Sequence, residues 1–298
     1  MAGNKIVPPT GIDIPFLNIV RTPDGLIKRD PIPSTPAAVD LNGSSPVLTK
    51  DVPLNPQHKT WLRLYLPRHA KNASAAAKLP LIVYYHGGGF IFFHADSTIF
   101  HDFCVGMAAQ IGVMVVSVEY RLAPDHRLPA AYEDAMEGLH WIKSCQDQWL
   151  IDYADISTCY LSGTSAGGNI AYHAGLRAAI AAKDLEPLKI KGLILHQPYF
   201  GASRRTESED RLINDPILPL HASDTMWDLS LPIGAHRDHE YCNPTVDGGS
   251  KHIERFRELE WRILVTGCCD DPLVDSGKET VKFLERKGVQ TATHFGTA

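Results

Sequence analysis

Gly163-Thr164-Ser165-Ala166-Gly167 decides how this chain is read. The five residues fit the G-x-S-x-G pattern and follow the apolar pair Tyr160-Leu161, so they mark a sharp strand-to-helix turn with a serine at its apex. The glycines have a steric reason: the bend presses two backbone stretches together, and only glycine-sized neighbours let the hydroxyl project outward. Upstream, His86-Gly87-Gly88-Gly89-Phe90 follows the apolar run Leu79 to Tyr85. A glycine-rich loop leaving a strand can turn its amide groups toward a developing negative oxygen. One motif alone is weak, and the two together point to acyl transfer at an activated serine.

Around this turn, apolar runs and helical spacings alternate. Trp61 to Leu66 alternates apolar and polar residues like a half-buried strand and stops at Pro67, while Leu81–Tyr85 and Val113–Val118 are continuous apolar runs, as in strands covered on both faces. Ile190–His196 and Arg262–Gly267 read as further strands. Ser97–Gln110, Ala130–Lys143, Ala166–Ala182 and Ser276–Arg286 carry helical periodicity. The alternation predicts an α/β fold, a mostly parallel central sheet flanked by helices.

A chain of 298 residues with 44% hydrophobic content fits one large domain, 1–298. Residues 1–57 are proline-rich and are expected to form an N-terminal arm that drapes over the core and caps a pocket. Residues 58–202 and 245–298 form the core, and the charges, prolines, Trp227 and Tyr241 of 203–244 suggest an inserted helical lid.

Composition narrows the partners. A net charge of −5 without a basic stripe favours neither nucleic acid nor an anionic membrane, which leaves a small molecule. The start of the chain lacks a signal-like apolar core and no run reaches membrane-spanning length, so a cytoplasmic protein is expected. Cys104, Cys145, Cys159, Cys242, Cys268 and Cys269 show no C-x-x-C spacing and read as reduced thiols, and the sequons at Asn42 and Asn72 then carry no weight. His236 and His239 lack a third well-placed ligand, so no metal is assigned. Glu119 and Arg121 read as a structural charge pair, His86 as a support of the glycine loop, and Arg204 and Arg205 as a solvated face.

Serine attack on an ester requires a base, a carboxylate that orients it, and donors for the oxyanion. Ser165 supplies the hydroxyl, and the N–H groups of Gly88, Gly89 and Ala166 the donors. Asp270-Asp271-Pro272-Leu273 follows the last clear strand, and chain order favours Asp271 as the acid.

His86-Gly87-Gly88-Gly89-Phe90, Tyr120-Arg121-Leu122-Ala123-Pro124, Gly163 to Asn169 and Asp271-Pro272-Leu273, in that order, resemble the plant carboxylesterases of the hormone-sensitive-lipase-like group, which have the α/β-hydrolase fold. Ser230-Leu231-Pro232-Ile233-Gly234 resembles their lid region. The resemblance implies hydrolysis of small acyl esters without metal or cofactor, with Ser165 as nucleophile, Asp271 as orienting acid, and Gly88, Gly89 and Ala166 as oxyanion donors. It also implies a catalytic histidine roughly thirty residues after the aspartate. Thr291–Gly296 resembles the family's last strand, so His294 is expected to be a strand residue, no catalytic histidine is found in the chain, and the final loop and helix are expected to be missing. Two other activities share these motifs: a hormone receptor that resembles the esterases but has lost its histidine, and dehydratases of isoflavonoid-type substrates. Ser165 favours the esterase over the dehydratases, whose nucleophile position can be threonine.

Overall fold

The apolar runs become the inner strands of an eight-stranded sheet. The structure, a computed structural model, describes residues 19–21, 27–29, 31–39, 44–72, 78–144 and 146–297. Asn42, Cys145 and residues 1–18, 22–26, 30 and 40–43 of the stretch read as a capping arm lie outside the described residues. The chain divides into two compact units, Met1–Pro33 and Ser34–Ala298. The first contains an antiparallel pair, β1 (Ile19–Arg21) and β2 (Ile27–Arg29).

The second unit holds the main sheet. Its strands are β3 (Val47–Asn55), β4 (Thr60–Pro67), β5 (Leu79–Tyr85), β6 (Met114–Val118), β7 (Ala154–Thr164), β8 (Ile190–His196), β9 (Arg262–Cys268) and β10 (Gln290–Gly296). They lie in the order β10-β9-β8-β7-β5-β6-β4-β3. Pairing is parallel from β10 to β6 and antiparallel for β6–β4 and β4–β3. The helices are α1 (Arg68–Asn72), α2 (Thr98–Met107), α3 (Ala130–Ser144), α4 (Gln148–Tyr153), α5 (Ala166–Ile180), α6 (Glu207–Arg211), α7 (Leu220–Ser230), α8 (Glu254–Glu258) and α9 (Val274–Arg286).

The periodicity reading locates these elements closely, with three differences. β3 falls inside the stretch read as an arm, yet it pairs along β4 and buries Val47 and Leu48. β4 was expected to be half-buried, but it is covered on both faces and Arg63 is only 1% exposed. The guanidinium survives burial because Asp51 takes it bidentately at 2.6 and 2.7 Å and the Thr35 carbonyl accepts at 2.5 Å. A lone arginine in an apolar strand cannot show that such a partner set surrounds it. α9 also begins two residues earlier than the sequence suggests, at Val274.

Strand order is what positions the site. From β5 the chain crosses to β6, then returns past β5 to β7, so progression across the sheet reverses between β5 and β7. At such a reversal the loops after the two strands diverge and leave a crevice at their carboxyl ends. Tyr85, the last residue of β5, is paired with Gly163, and the glycine loop and the serine turn therefore emerge side by side.

Buried histidines accompany α5. His173 is 6% exposed, stacked on Tyr132 at 4.8 Å and edge-on to Tyr241 at 5.4 Å, and burial lowers its pKa to about 3. It stays neutral in the fold while the unfolded chain takes up a proton near 6.5. Its stabilising contribution is thus complete above that pH and is lost as the pH falls toward 3, at about 1.4 kcal/mol per unit. His173→Gln is expected to reduce the stability lost between pH 6.5 and 5 by about 2 kcal/mol, read from urea unfolding at the two values. An unchanged pH dependence would show that the ring is already protonated or hydrated in the fold.

Two glycines give a contrast in packing. A Cβ on Gly192 of β8 would stand 2.0 Å from the Arg262 carbonyl oxygen of the neighbouring strand, whereas one on Gly106 of α2 meets nothing within 4 Å. Gly192→Ala is expected to destabilise by about 3 kcal/mol and Gly106→Ala to stabilise by about 0.5–1 kcal/mol in the same unfolding measurement. Equal effects at both positions would contradict the packing described.

Candidate active site at the carboxyl ends of the central strands

Ser165 sits between β7 and α5 with φ 55° and ψ −120°, a conformation that costs a non-glycine residue roughly 1–3 kcal/mol. Its neighbours hold it there. Its N–H donates to the His196 carbonyl at 2.9 Å, and its own carbonyl accepts from Tyr199 N–H at 2.9 Å and Asn169 N–H at 3.2 Å. A Cβ on Gly163 would lie 2.1 Å from the Gly167 carbonyl oxygen, and one on Gly167 would lie 1.9 Å from that of Tyr85. Both glycines are therefore dictated by backbone contact. Asn169 is fully buried and ties this end of α5 to the Tyr199 and Tyr241 carbonyls at 3.0 and 2.7 Å.

The glycine loop meets the serine directly, since a Cβ on Gly87 would stand 3.3 Å from the Ser165 Cβ. In a trans peptide the N–H points opposite to the preceding carbonyl, so the partners of that carbonyl set the amide's direction. The Gly87 carbonyl lies 2.8 Å from His86 Nδ1, and the Gly88 carbonyl accepts from Ile91 and Phe92 N–H at 3.0 and 2.9 Å. The amides of Gly88 and Gly89 consequently point away from those groups, and neither has a backbone acceptor among the described residues. Ala166 opens α5, where first-turn N–H groups lack an intrahelical acceptor.

His86 supports this loop, in agreement with the sequence reading. A carbonyl can only accept, so Nδ1 carries the proton it gives to Gly87. Burial lowers the pKa to about 4 and keeps the ring neutral, stacked at 4.2 Å on Tyr120, whose hydroxyl donates to the His86 carbonyl at 2.8 Å. Glu119 is occupied by His94 Nδ1 at 2.5 Å and Ala95 N–H at 2.7 Å. Arg121 is held by Asp134 at 2.7–3.0 Å.

The carboxylate end is tied to the serine through β8. Gln197, which follows the strand at φ 44°, donates from its side chain to Asp271 Oδ2 at 2.7 Å, and Leu273 N–H donates to Oδ1 at 2.7 Å. Burial raises the Asp271 pKa, the Leu273 bond opposes this, and the Asp215 charge adds to it. Asp270 is exposed, so only Asp271 of the pair turns inward. From α6, Ser208 Oγ donates to the Pro272 carbonyl at 2.7 Å and Arg211 to the Cys269 carbonyl at 3.0 Å, which anchors the acid loop. His294 lies in β10, exposed and in register with Thr266, as expected of a strand residue. Among the described residues no histidine hydrogen-bonds Asp271 or the Ser165 hydroxyl.

Elsewhere the structure amends the reading of Arg205. Arg205 is not a solvated face: it pairs with Asp224 at 2.6 Å and Glu209 at 3.2 Å, and Arg237 joins the same two carboxylates. The group of possible metal-ligating side chains among the described residues is His58, Asp134 and Glu137, away from His236 and His239, and its Asp134 is already committed to Arg121. The five described cysteines are free, with Cys104, Cys159 and Cys242 buried. Among the described residues no helix is long and apolar enough to cross a membrane.

Sequence reading missed Gln197, Tyr199, Met226 and Ser230. Gln197 and Tyr199 could have been flagged by their place just after a central strand. α7 was read only as part of a lid, yet it lies over the glycine loop: a Cβ on Gly89 would stand 2.1 Å from the Met226 sulfur, and Trp227 stacks on Tyr199 at 4.5 Å and packs on Phe90 at 5.6 Å.

A family model described as the alpha/beta hydrolase fold matches residues 82–297. Carboxylesterase 20 of Arabidopsis thaliana is 50% identical over 284 residues, 94% of this chain and 87% of that protein. The 3-O-acetylpapaveroxine carboxylesterase CXE1 of Papaver somniferum is 47% identical over 288 residues, 93% of this chain and 87% of its own. Among solved structures, a hyperthermophilic esterase from Pyrobaculum calidifontis aligns with a TM-score of 0.67 at 27% identity, covering 84% of this chain and 74% of the other. With the strand order, the serine turn and the adjoining glycine loop, these likenesses place the chain in the α/β-hydrolase fold family, among the plant carboxylesterases of the hormone-sensitive-lipase-like group, a family of hydrolases.

Proposed function

We propose that the chain cleaves small carboxylic esters through an acyl intermediate on Ser165. The observation that carries this reading is the strained serine standing against Gly87, with the Gly88 and Gly89 amides turned away from the loop's own acceptors. The Ser165 oxygen attacks the ester carbonyl carbon, and the carbonyl oxygen becomes an oxyanion that accepts from the amides of Gly88, Gly89 and Ala166. Collapse of the tetrahedral species expels the alcohol and leaves acyl-Ser165. Water then attacks the acyl carbon, releasing the acid and restoring the hydroxyl.

The serine proton passes to solvent water and is returned to the departing alkoxide as the alcohol leaves; Asp271 is the carboxylate read as orienting an imidazole base. The described residues present no imidazole to either group, so turnover of this stretch of chain is expected at the residual level that oxyanion stabilisation and binding supply. An acetyl ester is named for the poppy relative, which supports a small acyl group here.

A fluorophosphonate probe tests the reading, because phosphonylation uses the same hydroxyl and the same amide donors. Mass spectrometry after prolonged incubation is expected to find the adduct on Ser165, formed slowly because no base assists the hydroxyl, and to lose it in Ser165→Ala, while turnover of p-nitrophenyl acetate by the unsubstituted chain stays about 10³–10⁴-fold above the uncatalysed rate. Folded wild-type protein that carries no adduct, or carries it elsewhere, would remove Ser165 from the chemistry.

A further inference from the structure

α7 ends on a serine whose hydroxyl leaves its own helix. Ser230 is fully buried at the last helical position, where a serine commonly bonds the carbonyl four residues back. Here its Oγ donates to the Gly89 carbonyl at 3.2 Å, across 141 residues of sequence. That contact is the hydrogen bond of the Gly89 carbonyl among the described residues.

The peptide it holds is the weak point of the loop. Gly88, Gly89 and Phe90 have φ of 111°, 59° and 66°, and phenylalanine, unlike glycine, has a Cβ that crowds the backbone in this region. Flipping the Gly89–Phe90 peptide plane would return Phe90 to negative φ and relieve that crowding. It would also turn the Gly89 carbonyl away, reverse the Phe90 N–H and swing ψ of Gly89, the residue whose own amide is read as a donor, so the loop would lose the geometry that seats that residue.

We propose that Ser230 is a positioning residue of the oxyanion loop: by holding the Gly89 carbonyl it blocks this flip, fixes ψ of Gly89 and so keeps Gly89, with its amide, seated. The inference rests on the reading of that amide as an oxyanion donor. α7 can act as the fixed point because it is itself pinned. Arg127 donates to the Asp228 and Leu231 carbonyls at 2.7 Å each, and Leu128 N–H donates to the Ser230 carbonyl at 2.9 Å. Met226 covers Gly89, and the Phe90 ring is clamped between Trp227 at 5.6 Å and Tyr199 at 6.1 Å.

The test measures, on the full chain, the limiting rate constant for phosphonylation of Ser165 by a fluorophosphonate and the probe concentration that gives half that rate. Ser230→Ala is expected to lower the limiting rate about tenfold and to leave the half-saturating concentration within about twofold, since a misaligned donor acts on the transition state rather than on probe binding. Thr225→Ala removes another hydroxyl of the same helix, one bonded to the His221 carbonyl within α7 rather than to the loop. It is expected to stay within about twofold of wild type in both quantities. Arg127→Gln frees the end of α7 and is expected to lower the limiting rate about threefold, which keeps the inference open to refutation if Ser230→Ala does not fold.

An unchanged limiting rate in folded Ser230→Ala overturns the proposal, and if that variant does not fold, an unchanged rate in Arg127→Gln does so. An equal fall in Thr225→Ala, or a change confined to the half-saturating concentration, also overturns it. Wild-type protein that acquires no Ser165 adduct overturns the hydrolytic reading itself, a separate result that takes the role of Ser230 with it.

Discussion

The parallel pairing of β5 with β7 is the contact on which the rest depends. It sets Tyr85 beside Gly163, so two loops that are distant in sequence leave the sheet next to each other. The strand order reverses there, the point of an α/β sheet at which the loops after neighbouring strands can part to form a crevice. The small residues follow from this closeness. Gly167 lies against the Tyr85 carbonyl and Gly87 against Ser165, positions where a methyl group would collide with backbone or with the serine.

The same end of the sheet concentrates backbone strain. Ser165, Phe90, Phe93 and Gln197 all have positive φ, and all lie in loops that leave β5, β7 or β8. Each such residue costs roughly 1–3 kcal/mol and persists only where its surroundings over-determine it. Here the restraints are hydrogen bonds to neighbouring strand ends and aromatic packing from α7. The segment read as a lid thus also serves as a brace: α6 anchors the acid loop through Ser208 and Arg211, and α7 anchors the glycine loop.

Burial sets the electrostatics of the region. His86 is neutral because it is desolvated, and neutrality lets its single Nδ1 proton define the direction of the Gly87 carbonyl. Asp271 has its carboxyl pKa raised by burial, yet the two donors on its oxygens favour the ionised form. Arg63 shows the complementary case, a buried charge retained because a carboxylate takes it bidentately and a carbonyl accepts from a third donor.

How much was legible follows from what is local. The period of apolar residues located β5, β6, β8, β9 and α3 almost to the residue, because periodicity is a property of a segment facing one core. The glycines and Ser165 were legible because a strained turn admits few residue types. β3 was hidden: lysine, aspartate and proline interrupt its pattern, and only its partner β4 makes it a strand. The burial of Arg63 and the roles of Gln197, Met226 and Ser230 were hidden for a related reason. Each depends on a contact between segments far apart in the chain, such as the 141 residues between Ser230 and Gly89. Composition and spacing by themselves determined the layered α/β class and the serine and glycine motifs, since these are written in neighbouring residues. Only the tertiary structure decided which amides stay free, which aspartate turns inward and what holds the loop in place, because those outcomes are set by the packing of one element on another.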